Sequence, residues 1–396
     1  MRNFNSFFLM DTDSIKDYAI DVLGFFSPDE EINCSEIGDG NINYVFRLVS
    51  AKDCRSLVIK QADKLLRSSG RPLDTYRNKI EAKILQLQDE LAPGFVPKVV
   101  HYDQIMCALV MEDISDYKNL RKELAAGKIY PELAELLSTF VADTLLPTTD
   151  LVLSRAEKKK RTQFFTNIEL CDITEDLVLT EPYYNYKNRN IITEGNEEFV
   201  SENLYNNIDL HSRVAILRDN FMNNSQALIH GDLHTGSVFI NDSGIKVIDP
   251  EFAFYGPMGY DIGNVIANLL FAYYNKLNTQ PENRSFCEFL RNTVSDFFDL
   301  TFEKIKLKYD QLVELPLYRC EKFRDHYLRK IMSDSIGYTG TEIIRRTVGD
   351  SKVSDITSVV DPQMRIKLER QLIMLGIKLI MNSENIQNGS DLLEII

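Results

Sequence analysis

Residues 230–237 read His-Gly-Asp-Leu-His-Thr-Gly-Ser, and residues 249–251 read Asp-Pro-Glu. Residues 238–248, which lie between the two motifs, read Val-Phe-Ile-Asn-Asp-Ser-Gly-Ile-Lys-Val-Ile. Two apolar runs around an Asn-Asp-Ser-Gly turn predict a strand, a turn and a second strand. The hairpin therefore fixes the distance along the chain between the isolated acid Asp232 and the acidic cluster that follows it.

Asp232 and Asp249 are separated by seventeen positions and offer carboxylates for two different uses. An isolated carboxylate can take the proton of an attacking hydroxyl, while an acidic cluster can hold the Mg²⁺ that bridges nucleotide phosphates. Either motif alone is common in ordinary turns. Together, in this order, they favour a phosphoryl-transfer enzyme that uses ATP, with Asp232 as base and Asp249 and Glu251 as metal ligands.

The composition is that of an ordinary globular protein. The chain has 396 residues, of which 44% are hydrophobic and 26% charged, enough for two domains or one large two-lobed unit. A net charge of −14 argues against nucleic-acid binding. The six cysteines include no close pair, so neither a metal knuckle nor a disulfide framework is indicated. The apolar patch before Asp11 is too short for a signal sequence or membrane span, and we expect a cytoplasmic protein without membrane attachment.

A glycine turn with strand-like flanks follows a helical pattern at about residues 14–26. Residues 37–49 predict a strand, a Gly-rich loop and a returning strand, and residues 56–62 predict a third strand that carries Lys60. Gly38 and Gly40 would let backbone amides approach phosphates, and the lysine would pair with them. Gly-x-Gly alone is weak evidence, because most such pairs are plain turns.

A helical pattern over residues 74–91 carries Glu81 among its apolar positions. An acid there can hold Lys60 by an ion pair, as helices of kinases do. The alternative, that Glu81 is one of several solvated helix charges, stays open at this point.

Two further strands are predicted at residues 97–103 and 107–114. The second strand is followed by a polar segment, which is where the two lobes of a kinase would be connected. Backbone groups of Glu112, Asp113 and Ile114 would then contact the adenine edge of ATP.

The sequence from about residue 119 onward is largely helical, most clearly at residues 132–143 and 261–274. The Asn-rich stretch at residues 183–206 predicts a long surface loop or insertion. We therefore expect an α+β, bilobal protein-kinase-like fold. Its N-terminal lobe, residues 1–114, would be an antiparallel sheet with a helix, and its C-terminal lobe, residues 115–396, would be mainly helical.

The catalytic motif and residues 249–263, which read Asp-Pro-Glu-Phe-Ala-Phe-Tyr-Gly-Pro-Met-Gly-Tyr-Asp-Ile-Gly, carry a specific resemblance. They resemble the S-methyl-5-thioribose kinase family, in the aminoglycoside-phosphotransferase and choline-kinase branch of the protein-kinase-like fold. The similarity extends from the Gly-rich loop through residues 169–175 to residues 340–346 and so covers nearly the whole chain. It implies transfer of phosphate from ATP to the anomeric hydroxyl of methylthioribose in methionine salvage, with Mg²⁺ required, by a homodimer.

The resemblance also implies roles for individual residues. Asp232 would contact and deprotonate the sugar hydroxyl, and Arg345 and Arg346 would lie beside the sugar. Guanidinium groups suit this place, because they donate to hydroxyls and stabilise phosphoryl oxygens. With the glycine loop and the helix acid, the expected nucleotide-binding set is Gly38, Gly40, Asn43, Lys60, Glu81, Glu112, Asp113, Ile114, Asp249, Pro250 and Glu251.

Two positions depart from familiar patterns. Ser237 stands five residues after Asp232, where many kinases have a metal-binding Asn. This matches the methylthioribose kinases but offers a shorter, neutral ligand, which would reach the metal through water. Arg71 precedes Pro-Leu where the family usually has Trp, and the chain contains no Trp. An aromatic lid at this loop is therefore not expected.

Features of the sequence argue against three alternative functions. A kinase for aminoglycosides or choline would bind cations, which Arg345 and Arg346 would repel. A nucleotide-binding pseudokinase scaffold should have lost Lys60, Asp232 or the metal acids, yet all are present. A protein kinase needs a long activation segment, and only eleven residues separate Asp249 from Asp261.

Overall fold

The computed structural model describes residues 2–37, 43–65 and 72–396. The chain forms two compact units, Met1–Tyr117 with Lys246–Phe252, and Lys118–Ile245 with Ala253–Ile396. We call the first the sheet unit and the second the helical unit. The boundary predicted after residue 114 stays a prediction.

The sheet unit is built on a five-stranded antiparallel sheet with the order β1-β2-β3-β5-β4. Its elements are α1 (Thr12–Asp21), β1 (Ile32–Glu36), β2 (Asn43–Ser50), β3 (Ser56–Ala62), α2 (Tyr76–Leu91), β4 (Val99–Asp103) and β5 (Ala108–Met111). The predicted antiparallel sheet and its helix are thus confirmed.

Two contacts of the sheet unit matter for the site. Strand β3 is central, so that Lys60 faces Val45 on one neighbouring strand and Leu109 on the other and is only 6% exposed. A short 3₁₀ turn, Pro250–Phe252, packs against α2 and brings the second acidic motif to this unit.

The helical unit contains most of the helices. Its elements in chain order are β6 (Lys118–Asn119), α3 (Leu120–Ala125), α4 (Leu133–Leu145), α5 (Arg155–Phe164), α6 (Ile168–Leu177), α7 (Glu181–Tyr184), α8 (Glu197–Val200), α9 (Ile208–Asn223), β7 (Ala227–Ile229), β8 (Val238–Asn241), β9 (Gly244–Val247), β10 (Phe254–Gly256), α10 (Met258–Thr279), α11 (Arg284–Leu312), α12 (Glu321–Val348), α13 (Ser354–Thr357), α14 (Pro362–Asn382) and α15 (Gly389–Ile395). The last residues of β9 belong to the sheet unit. Strands β8 and β9 are the predicted hairpin.

Helix α12 crosses α10 and α14 with backbones in contact, because glycines stand at the crossings. A Cβ atom on Gly263 of α10 would lie 2.6 Å from the Ser335 carbonyl oxygen, and one on Gly340 would lie 2.5 Å from the Gly376 carbonyl oxygen. Close packing of this kind transmits any added volume to the backbone. It fixes the course of α12, whose last turn carries Arg345 and Arg346.

The prediction of a surface loop at residues 183–206 is confirmed only for the middle of the segment: residues 185–195 lie outside any helix or strand and are exposed or half-buried, whereas both ends of the segment are helical. The segment contains the end of α7, helix α8 and a π-helical turn, Ser201–Tyr205. Tyr183, Val200 and Leu204 are at most 1% exposed, while Tyr184, Tyr186 and Ile191 are exposed. The many Asn residues hid these few buried positions, which are too irregularly spaced to give a helical period.

No helix in the described ranges combines the length and the apolar character that a membrane crossing needs.

Candidate active site

The turn that carries Asp232 is held by a buried acid on α10. Both carboxylate oxygens of Asp261 accept backbone N–H groups, from His230 at 2.6 Å and from Gly231 at 2.9 Å. Gly231 has a φ of +83°, a conformation that residues with a Cβ atom rarely adopt. The chain therefore turns sharply after β7 and presents Asp232 beyond its end.

The carboxylate of Asp232 faces the last turn of α12. Its Oδ1 atom lies 3.4 Å from a terminal guanidinium nitrogen of Arg345 and 3.2 Å from one of Arg346. Burial opposes ionisation of Asp232, but His234, Arg346 and Arg345 outweigh burial and hold its pKa well below the usual range. Asp232 is therefore a carboxylate at neutral pH.

The carboxylate of Glu342 forms an ion pair with each of the two arginines. This carboxylate, 1% exposed, accepts the Nε–H of Arg345 at 2.6 Å and the Nε–H of Arg346 at 2.8 Å. The spacing of three and four residues on α12 places all three side chains on one face. With both Nε atoms held by Glu342, one terminal nitrogen of each arginine faces Asp232, and the other terminal nitrogen of Arg346 donates to the Ser351 carbonyl oxygen at 3.2 Å. We call Glu342, Arg345 and Arg346 the arginine fork.

His234 and Ser237 lie beside Asp232 on the same turn. Nδ1 of His234 accepts the backbone N–H of Ser237 at 3.0 Å and lies 3.1 Å from the Ser237 hydroxyl. Burial and the neighbouring Arg121 and Arg346 outweigh the carboxylate of Asp232 and lower the pKa of His234 to about 4. Its ring is therefore neutral at pH 7, and at that pH the arginines keep Asp232 ionised.

The sheet unit gathers a second cluster around Lys60. The Lys60 ammonium contacts the Glu81 carboxylate at 2.8 Å and also the carboxylate of Asp249. Burial disfavours the lysine charge, but Asp249, Glu81 and Glu251 outweigh it and raise the pKa of Lys60. Burial also shifts the pKa of Glu81 upward despite the lysine.

Asn43, Arg77 and Glu251 form the adjoining part of this cluster. Asn43 Nδ2 donates to Glu251 at 3.1 Å, and a terminal nitrogen of Arg77 donates to Asn43 Oδ1 at 3.1 Å. Arg77 Nε lies 3.4 Å from Glu251. All three residues are at most 5% exposed, so the position of Glu251 is set by buried partners.

The acids of the sheet unit suit a hard divalent cation. Glu81, Asp249 and Glu251 each offer a carboxylate oxygen, and these oxygens lie within 4.8 Å of one another. Mg²⁺ takes oxygen ligands and is usually held by one or two carboxylates together with substrate phosphates. Asp249 is the exposed member, with 46% of its side chain accessible. Its φ of +69° is unusual for a residue other than glycine.

The residues predicted at the adenine lie just after β5. Glu112 accepts the Lys98 N–H at 3.0 Å, and Asp113 accepts Nε–H of Arg47 at 2.7 Å. Both carboxylates are thus engaged within the sheet unit, so any contact of this segment with adenine would come from its backbone. Gly38, Gly40 and Arg71 lie outside the described residues.

The structure thus sorts the predicted site residues into two groups. Asn43, Lys60, Glu81, Asp249 and Glu251 come together in the sheet unit, while the group around Asp232 comes together in the helical unit. Sequence reasoning missed several residues that hold these groups in place: Arg77, His234, Asp261 and Glu342. Of these, only Glu342 could have been found from the sequence. It stands three positions before Arg345 and four before Arg346, a spacing at which side chains of a helix can pair.

Replacing Lys60 by methionine is expected to destabilise the protein. Removing one partner of a buried ion pair costs about 3–5 kcal/mol, and here it leaves Glu81 buried without its counter-charge. Urea unfolding measures the loss of free energy. Lys83→Met, on the exposed face of α2, is the control and should change stability little; equal losses in both variants would contradict the structural role of Lys60.

The chain is similar in sequence to methylthioribose kinases over nearly its whole length. The sequence model of the phosphotransferase enzyme family (APH) matches residues 33–275. A methylthioribose kinase of Geobacillus sp. (strain WCH70) is 38% identical over 373 residues, 93% of this chain and 91% of the relative. One of Bacillus cereus (strain G9842) is 39% identical over 360 residues, 90% of this chain and 89% of the relative.

A solved structure supports the fold. The choline kinase from Cryptosporidium parvum Iowa II superposes with a TM-score of 0.52 at 16% identity, covering 93% of this chain and 98% of that one. At this identity the likeness shows the kinase-like fold alone. The family itself follows from the sequence relatives: the chain belongs to the phosphotransferase enzyme family and, within it, to the methylthioribose kinases.

Proposed function

We propose that this protein transfers the γ-phosphoryl group of ATP to the 1-hydroxyl of S-methyl-5-thioribose, giving the 1-phosphate and ADP. The observation that carries the proposal is the arginine fork facing Asp232. A carboxylate beside two guanidinium groups suits a neutral acceptor with several hydroxyls, because the carboxylate accepts one hydroxyl and the guanidinium groups donate to others. A cationic acceptor such as choline or an aminoglycoside would be repelled.

The sheet unit would bind the nucleotide. Lys60, held by Glu81, would pair with phosphate oxygens, as would Asn43 and the loop containing Gly38 and Gly40, while the backbone at Glu112, Asp113 and Ile114 would meet adenine. Asp249 and Glu251, joined by Pro250, would hold Mg²⁺. When bound, the metal neutralises charge on the phosphates.

Asp232 would orient the sugar hydroxyl and receive its proton. Its lowered pKa makes it a weak base, which suits a loose transition state in which the phosphoryl group has largely left ATP before the hydroxyl attacks. Donation from Arg345 and Arg346 to the sugar would weaken their hold on Asp232 and strengthen it as a base. Ser237, whose hydroxyl contacts His234 and the Asp232 carbonyl oxygen, would reach the metal only through water.

The site of phosphorylation is tested by ¹H–³¹P correlation NMR on the product of the reaction. The proposal predicts that the new phosphorus signal correlates with the anomeric proton and with no other sugar proton. A correlation to the proton on C2 or C3 would overturn the assignment of the acceptor hydroxyl.

The pH dependence follows from the lowered pKa of Asp232. A carboxyl group with a lowered pKa keeps its charge above that pKa and loses it only as the pH falls through it. Since an ordinary Asp titrates near 3.8, kcat/KM for the sugar at saturating MgATP should show no acidic limb from Asp232 above about pH 5. Arg346→Gln should raise the pKa of Asp232 and shift the acidic limb of the pH profile to higher pH. An acidic limb near pH 6 in the wild type, unmoved in Arg346→Gln, would contradict the account.

The homodimer implied by the sequence resemblance, the cytoplasmic location and the division at residue 114 remain part of the proposal.

A further inference from the structure

His234 has one ring nitrogen whose protonation is fixed by the backbone. The N–H of Ser237 is shared between the His234 carbonyl oxygen at 2.9 Å and Nδ1 of the His234 ring at 3.0 Å, and a backbone N–H can only donate. Nδ1 must therefore be the unprotonated acceptor. A histidine with a bare Nδ1 is neutral and carries its hydrogen on Nε2.

The protonated nitrogen faces the predicted base. Nε2 of His234 lies 3.5 Å from Oδ2 of Asp232, whereas the two arginines face Oδ1. The distance is long for a hydrogen bond, but catalytic hydrogen bonds are often long before substrate binds and shorten in the complex. Oδ1 of Asp232 thus faces the two arginines, and Oδ2 faces His234.

The turn is shaped to admit the imidazole ring. A Cβ atom on Gly236 would lie 2.9 Å from Cε1 and 3.0 Å from Nδ1 of His234, so a larger residue would push the ring away. Asn119 Nδ2 donates to the Gly236 carbonyl oxygen at 2.7 Å and fixes this part of the turn.

We propose that His234 is a positioning residue for Asp232, donating from Nε2–H to Oδ2 so that, with the arginine fork on Oδ1, the carboxylate plane is fixed toward the acceptor hydroxyl. This inference rests on the proposed function, in that it takes Asp232 as the group that receives the hydroxyl proton. In this role His234 is an uncharged hydrogen-bond donor, whereas Arg345 and Arg346 of the arginine fork are charged donors.

Two uncharged substitutions separate the two nitrogens of His234. The His234 side chain caps the 3₁₀ turn Thr235–Ser237 by accepting the Ser237 N–H. In His234→Asn the amide oxygen takes the place of Nδ1, and Asn is among the best capping residues, but donation to Asp232 is lost. In His234→Gln the amide nitrogen reaches the place of Nε2, but the capping contact with the Ser237 N–H is lost. The expected result for His234→Asn is an unchanged melting temperature and a kcat lowered about 10- to 100-fold, the usual effect of losing a hydrogen bond to a charged group. His234→Gln should melt earlier yet keep most of its kcat.

A third variant tests whether His234 acts through Asp232. In a protein that already carries Asp232→Asn, adding His234→Asn should lower kcat no further. Wild-type kcat in His234→Asn, equal losses in both single variants, or additive losses in the double variant would each overturn the proposal. Failure of the proposed function itself would be visible separately, as high activity of Asp232→Asn alone. Nitrogen-15 NMR of the imidazole gives a readout besides activity, since the proposal requires hydrogen on Nε2 and none on Nδ1.

Discussion

Asp232→Asn is expected to lower kcat by about 10²- to 10⁴-fold, the usual contribution of a positioned general base. Asparagine keeps the shape of the side chain but cannot receive the hydroxyl proton, and it no longer attracts the arginine fork. The KM for ATP should change little, because the nucleotide is assigned to residues of the sheet unit. Steady-state kinetics with each substrate varied in turn makes both measurements.

The control for this prediction is Asp242→Asn. Asp242 is exposed in the turn between β8 and β9. The Asp242→Asn variant loses the same charge without changing Asp232, so its kcat should equal that of the wild type. If Asp232→Asn kept more than about a tenth of wild-type turnover, the general-base role would be wrong by this scale.

Asp249→Asn is expected to lower kcat by about 10³-fold, because a metal at the phosphates contributes several kcal/mol to the transition state. Asparagine keeps one oxygen but loses the charge that attracts Mg²⁺. The Mg²⁺ concentration needed for half-maximal activity should rise as well. Binding of Mn²⁺ in the presence of ATP, followed by electron paramagnetic resonance, measures the loss of affinity independently of turnover.

The matched control for Asp249 is Glu90→Gln, which removes a carboxylate from an exposed position of α2 in the same unit. It should bind Mn²⁺ as the wild type does. Unchanged Mn²⁺ affinity in Asp249→Asn would remove Asp249 from the metal site, even if its activity were low.

The sequence predicts those features that depend on local signals. The hairpin at residues 238–248 follows from a polar turn between apolar runs, and the structure has β8 and β9 there. The helix at residues 74–91 follows from its apolar period and is present as α2. Lys60 and Glu81 pair as the kinase pattern predicts, because a central strand and the following helix are neighbours in the unit.

Other features depend on tertiary contacts that no local pattern reveals. Arg77 is one of several charges at the start of α2, and only the folded unit brings it to Glu251. Asp261 begins a helix in the sequence, yet in the structure its carboxylate holds a turn thirty residues earlier. The conformation of Asp249, with its positive φ, is likewise set by surrounding contacts, because Asp can adopt it but does not require it.

We propose that the arginine fork and Asp232 select a neutral sugar for phosphorylation. The most direct measurement is Mg²⁺-dependent ADP release from ATP with S-methyl-5-thioribose, ribose, choline and kanamycin supplied separately. The account predicts strong turnover with methylthioribose, weaker turnover with ribose and none above background with the two cations. Efficient turnover with choline or kanamycin and none with methylthioribose would contradict it.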